Sequence, residues 1–166
     1  MIQNRRAFLT IAGSSAAAVA LFGCRGATAG APETFEYRLT DAEWKAKLSP
    51  AAYQTLRHES TERPGSSSLN NEHRAGIFSC AGCALPLYSS KTKFDSGTGW
   101  PSFWQPLANA VRTRKDSTLG FTRTEVHCRR CGGHLGHVFE DGPPPTGKRY
   151  CMNGVAMAFT LGKVPG

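Results

Sequence analysis

At 166 residues and 17.9 kDa the chain has room for one domain with a real core and not for two comfortable ones, and its 18 glycines and 10 prolines exclude a helical bundle in favour of strands, turns and long loops. The formal charge of +8 becomes +5 once the three arginines Arg5, Arg6 and Arg25, the only charged residues among the first 30, are set aside. The other basic residues are scattered apart from Arg112-Thr113-Arg114-Lys115, Arg129-Arg130 and Lys148-Arg149; with no RNA-reading aromatic motif beside them, they read as a solvated face and not as a nucleic-acid groove.

The chain opens on Asn4-Arg5-Arg6-Ala7-Phe8-Leu9-Thr10 and an Ala-rich apolar run through Val19, Leu21 and Phe22. This resembles a twin-arginine signal peptide. The run is broken by Thr10, Gly13, Ser14 and Ser15 and is short for a membrane span. The expectation is a leader over residues 1–30, a domain over residues 31–166, and export to the periplasm as a folded protein. Two processing sites remain open: Leu21-Phe22-Gly23-Cys24 resembles a loose lipoprotein box that would anchor the protein by a lipid on Cys24, whereas Ala27-Thr28-Ala29 is a small-x-small cleavage site.

Thr40-Asp41-Ala42-Glu43 has the form of a capping box and predicts a helix running to about Leu48. Ser49-Pro50 restarts it, because proline is preorganised for the first helical position, and Tyr53, Leu56 and Arg57 carry a second short helix. From Glu62 the sequence is turn-rich, and beyond it short strands are predicted at Gly76–Phe78, Leu87-Tyr88, Lys93-Phe94, Val111–Thr113, Thr122–Val126, His134–Phe139 and Val155–Thr160. Pro143-Pro144-Pro145 reads as a stiff loop. The fold class is therefore mainly β: an antiparallel core with two small N-terminal helices.

Cys80-Ala81-Gly82-Cys83 and Cys128-Arg129-Arg130-Cys131 form two C-x-x-C hooks about 45 residues apart, and two such hooks supply the four thiolates of a tetrahedral zinc site. Four protein ligands leave no open position for a substrate, so one structural Zn2+ is expected. Two disulfides are the alternative in an exported protein, but each would close a very small loop and constrain the unfolded chain little. A thioredoxin-type site at one hook would need a βαβ pattern, which neither hook has.

Cys151 is left over, in Lys148-Arg149-Tyr150-Cys151-Met152-Asn153. A lone cysteine can be a small buried hydrophobe. Here Arg149 and Lys148 would favour a thiolate, and Asn153, two residues on in a strand, would share its face. Together with Thr61-Glu62-Arg63-Pro64, Phe94-Asp95-Ser96-Gly97, Gly97-Thr98-Gly99-Trp100-Pro101-Ser102-Phe103, His134-Leu135-Gly136-His137-Val138-Phe139 and Gly142-Pro143, this segment resembles the B-type methionine sulfoxide reductases over about residues 35–162.

The resemblance implies two antiparallel sheets, a zinc site remote from catalysis, and reduction of the R epimer of methionine sulfoxide. Cys151 would be the nucleophile, passing through a sulfenic acid. His137, with His134 in support, would be the acid, and Asn153 and Arg149 would hold or polarise groups around the thiol. Trp100, with Phe139 in a lesser role, would wall a pocket for the S-methyl group. Many family members carry a resolving cysteine where this chain has Thr98. The implied partners are thus oxidised methionine in proteins or peptides and an external thiol reductant, thioredoxin-like or otherwise, with a monomer as the default state. A zinc-ribbon binding module is the rival from another class, and it would need neither an export leader nor Cys151 flanked by Arg149 and Asn153.

Overall fold

The computed structural model describes residues 33–162; the leader and Cys24 lie outside them. Helix α1 (Asp41–Lys47) begins at the expected capping box: the Thr40 hydroxyl accepts from the Glu43 amide while the Glu43 carboxylate accepts from the Thr40 amide. Helix α2 (Pro50–His58) starts with Pro50 in its first turn and the Ser49 hydroxyl accepting from the Ala52 amide.

Nine strands follow among the described residues: β1 (Gly76–Cys80), β2 (Pro86–Ser89), β3 (Lys93–Phe94), β4 (Ser102–Phe103), β5 (Val111–Asp116), β6 (Arg123–Cys128), β7 (His134–Phe139), β8 (Arg149–Met152) and β9 (Met157–Leu161). They form a three-stranded sheet in the order β2-β1-β9 and a six-stranded sheet in the order β3-β4-β8-β7-β6-β5. All the pairings are antiparallel, which bears out the expected fold class. Strand β4 lies outside the expected set, β1, β5 and β6 run two or three residues past their expected ends, and one start is corrected. The strand expected over Val155–Thr160 begins only at Met157, because Gly154–Ala156 is a 3-10 turn. The Glu62 carboxylate accepts from the Gly154 and Val155 amides and takes those donors away from any ladder.

The two sheets meet through aromatic side chains. Phe103 of β4 is fully buried, stacked on Tyr88 of β2 at 4.3 Å and edge-on to Phe78 of β1 at 4.9 Å. The buried Tyr88 hydroxyl donates to the Met152 sulfur at 3.1 Å, so even this polar group is satisfied inside the interface. At one edge, Trp44 of α1 and Leu56 of α2 press on the hooks: a Cβ added at Gly82 would meet Trp44 at 3.3 Å, and one at Gly133 would meet Leu56 at 2.8 Å. Phe103→Ala opens a cavity shared by both sheets and should lower the unfolding free energy by about 3–5 kcal/mol in urea denaturation; a loss under 1 kcal/mol would remove Phe103 from the centre of the core.

Candidate active site and cysteine cluster

Cysteines 80, 83, 128 and 131 are buried, with ligand atoms all within 4.8 Å of one another. Two of the contacts run between hooks, Cys80 to Cys131 at 3.7 Å and Cys83 to Cys128 at 3.5 Å. A tetrahedron with metal–sulfur bonds of about 2.3 Å has sulfur–sulfur edges of about 3.8 Å; a disulfide bond is about 2.05 Å. The sulfurs therefore have the spacing of metal ligands, and all four cysteines are free.

The hooks are built alike. The amide of the residue after each second cysteine donates to the first cysteine's carbonyl, Ala84 to Cys80 and Gly132 to Cys128, both at 2.8 Å. Each first cysteine in turn donates its amide two residues beyond the hook, Cys80 to Leu85 and Cys128 to Gly133, both at 2.9 Å. Both turns need a left-handed residue, at φ +59° for Ala84 and +68° for Gly132. Gly132 has a second reason to lack a side chain, since a Cβ there would lie 2.5 Å from the Phe35 ring.

Cys151 lies on β8 in a single transverse row of the large sheet, formed by Phe94, Ser102, Cys151, His137, Glu125 and Arg114 as successive cross-strand partners. Directly opposed residues project to the same face. Two residues along, the pairs Phe139–Arg149 and Asp116–Arg123 continue that face. His134 would point away from His137 in a regular strand. A bulge changes this, because His134 opposes His127 while Gly136 opposes Val126, leaving Leu135 as an extra residue on β7. The two imidazoles consequently share a face, 5.4 Å apart and edge to face. Gly136 permits the close β7–β8 approach, since a Cβ there would lie 2.1 Å from the Cys151 carbonyl oxygen.

Cys151, His137, Gly136 and Phe139 line a cleft of about 430 Å³ including its mouth, completed by Trp100, Asn153, Thr61 and Arg123. Burial pushes the Cys151 thiol up; Thr98, the Arg149 charge and Ser102 oppose it. Burial also lowers His137 despite its 2.8 Å contact from Nε2 to Asp116. The Asp116 carboxylate is held far below the usual range by the backbone amide and hydroxyl of Thr118, by His137 and by Arg123, so it is the acceptor and Nε2 the donor.

The protein-family model described as the SelR domain matches residues 48–161. Over 121 residues the chain is 55% identical to the peptide methionine sulfoxide reductase MsrB of Thiobacillus denitrificans, covering 72% of this chain and 92% of the relative. The protein of the same name from Agrobacterium fabrum is 52% identical over 121 residues, 72% of this chain and 90% of its own length. That from Methanosarcina mazei is 51% identical over 122 residues, 73% of this chain and 87% of its own. This chain belongs to the MsrB family. The resemblance read from its motifs is borne out, and the chain is a member of an enzyme family and not a zinc-ribbon binding module.

Within this MsrB-family site, Cys151, His137, Trp100, Phe139 and Asn153 come together at the cleft, while three expectations shift. His134 sits behind the cleft, its Nδ1 on Glu125 at 2.8 Å, and Glu125 is in turn paired with Arg114. Asn153 lies beyond the end of β8, so the face-sharing argument from strand spacing does not hold. Its side chain donates to the Leu135 carbonyl at 3.1 Å and accepts from the Glu62 amide at 3.0 Å. Arg149 is forked onto Asp141 at 2.8 and 2.9 Å, with its guanidinium 4.5 Å over the Phe139 ring, and Lys148 turns to Glu140.

The site residues that sequence reasoning missed are Asp116 and Arg123, with Glu125 behind them, while Thr61 and Glu62 stand in a motif to which it gave no role. Glu62 also accepts from the Trp100 indole on its carbonyl at 3.1 Å, which makes the Thr61-Glu62 motif the clasp of the cleft. Cys128→Ser removes one of the four sulfurs; bound metal should fall from one equivalent to almost none, and stability should drop by several kcal/mol. Full metal content with unchanged unfolding would break the assignment.

Proposed function

We propose that this protein reduces the R epimer of methionine sulfoxide in oxidised polypeptides to methionine, with Cys151 as nucleophile. The observation that carries the reading is the half-buried thiol sharing one cleft with a histidine held on a carboxylate and two aromatic walls, in a member of the MsrB family. The Cys151 thiolate attacks the sulfoxide sulfur. With the Nε2 proton committed to Asp116, His137 takes the Cys151 thiol proton on Nδ1 as the thiolate forms, and that Nδ1 proton passes to the sulfoxide oxygen as the S–O bond weakens. The oxygen ends on Cys151 as a sulfenic acid and methionine leaves as the thioether.

Selectivity for one epimer follows from three fixed points. The sulfur must face Cys151, the oxygen His137 and the methyl group Trp100, and only one configuration at sulfur meets all three. Thr98 cannot form an internal disulfide, so two equivalents of an external thiol, such as a thioredoxin-like protein, regenerate Cys151 and release water. The hooks would hold one structural Zn2+ through Cys80, Cys83, Cys128 and Cys131; the thiolate set, its burial and its spacing support zinc. Arg5-Arg6 and the apolar run behind them support twin-arginine export to the periplasm as a monomeric repair enzyme, with Cys24 as the point of any lipid anchor.

Thiol-driven reduction of separate R and S epimers in a peptide tests the reading. Activity on R alone, lost at least a thousandfold in Cys151→Ser, is expected; activity on S, or survival of the variant, would overturn it. The Arg149 charge lowers the Cys151 pKa, so Arg149→Met should raise it further and move the rising limb of the pH–kcat/KM profile to higher pH. Because this charge is shared with Asp141, the shift should be about half a pH unit, roughly a threefold loss below the limb. A shift to lower pH would contradict the sign.

A further inference from the structure

Cys151 needs its charge stabilised, and the nearest cation is a poor source of that stabilisation: the Arg149 guanidinium is forked onto Asp141. On the other side of the sulfur lies an array of hydroxyls. Thr98 Oγ1 is 3.8 Å from Cys151 Sγ, Ser96 Oγ is 2.8 Å from Thr98 Oγ1, and Ser102 Oγ is 2.7 Å from Ser96 Oγ and 3.1 Å from the Trp100 carbonyl oxygen. Ser102 is fully buried and is the cross-strand partner of Cys151 on β4.

The loop that delivers Thr98 is pinned at both flanking glycines. Gly97, at φ +69°, donates its amide to the Asp95 carboxylate at 2.9 Å. Gly99, at φ +90°, accepts on its carbonyl from the Gly65 amide at 2.7 Å and from the Asn70 side chain at 3.0 Å. Thr98 is thus placed by the fold and not by its own contact with the thiol.

We propose that Thr98, backed by Ser96 and Ser102, is a positioning residue that donates a hydrogen bond to the Cys151 thiolate through a reversible chain of hydroxyls. Each hydroxyl has one proton, and the Trp100 carbonyl can only accept. With Cys151 as a thiol, the protons all point one way: S–H to Thr98, Thr98 to Ser96, Ser96 to Ser102 and Ser102 to the Trp100 carbonyl. With Cys151 as a thiolate, the order reverses by rotation about three C–O bonds: Ser102 donates to Ser96, Ser96 to Thr98 and Thr98 to the sulfur. No heavy atom moves, and the only bond given up is the one to the Trp100 carbonyl, in exchange for a charge-assisted bond to the thiolate. The donors polarise one another along the chain. In this protein the position that cannot resolve the sulfenic acid instead activates the thiol.

The proposal rests on Cys151 being the nucleophile, so its test omits the sulfoxide. The full-length protein with its metal is treated with iodoacetamide across a pH series, and alkylation of Cys151 is followed by mass spectrometry of its peptide, which separates it from every other cysteine. Thr98→Val should move the midpoint of the alkylation profile up by roughly one pH unit while leaving the plateau rate at high pH unchanged. Thr98→Ser should restore the wild-type midpoint, and Ser96→Ala should shift it in the same direction by less. A wild-type midpoint in Thr98→Val, or a Thr98→Ser variant that behaves like the valine variant, would overturn the proposal. So would a fall in the plateau rate alone, which would mark Thr98 as a steric element of the cleft. Ser96→Ala decides the matter should Thr98→Val fail to fold.

Discussion

Two of the clustered sulfurs lie on and just after β1 and two at and just after the end of β6, and those strands belong to different sheets. A metal binding all four therefore closes a loop of about 45 residues and fastens the small sheet to the large one at a single point. Other packing leans on that point. Trp44 and Leu56 cover the hooks, Arg57 donates to the Cys131 carbonyl at 3.1 Å, and the Tyr37 amide donates to the Arg130 carbonyl at 2.9 Å. The aromatic interface at Phe103 supplies the area of contact between the sheets, and the cluster supplies their relative register.

Register also decides the chemistry. The reactive row crosses several strands, and each side chain reaches the common face only because each ladder is set to the residue. A slip of one position at β7 or β8 would turn Cys151 or His137 into the core. The extra residue at Leu135 and the missing side chain at Gly136 act together: the first turns His134 to the side of His137, and the second lets β8 come close enough to bring Cys151 beside them. Asp116 sits at the end of β5, and its carboxylate reaches over to hold His137 in one tautomer.

Much of this was legible because it follows local rules. The capping box at Thr40, Pro50 at a helix start and the spacing of each cysteine hook are short-range patterns with one physical solution apiece. The order of the motifs around Trp100, His137 and Cys151 then identified the family. What could not be read was long-range. Strand β4 has two residues and shows no alternation, so Ser102 could not be placed beside Cys151. Asp116 and Arg123 stand in no motif, and they matter only because a hairpin returns them to one another. The misplaced start of β9 has a similar cause, since nothing near Gly154 shows that Glu62, some 90 residues earlier, has claimed its amide. Strand spacing points Asn153 to the side of Cys151; Asn153 lines the cleft, but from beyond the end of β8.

Glu62 gives the domain a mechanical continuity that its separate sites conceal. Helix α2 rests on the cysteine hooks through Leu56 and Arg57, and the chain leaving it passes within four residues to Glu62, which grips the Trp100 indole, the Asn153 amide group and the start of the turn before β9. The cluster and the cleft lie toward opposite ends of β6, on the order of 15 Å apart along the strand, yet one short strut joins them. A metal held by the four cysteines would thereby steady, from a distance and without touching it, the wall of the cleft that Trp100 and Asn153 form.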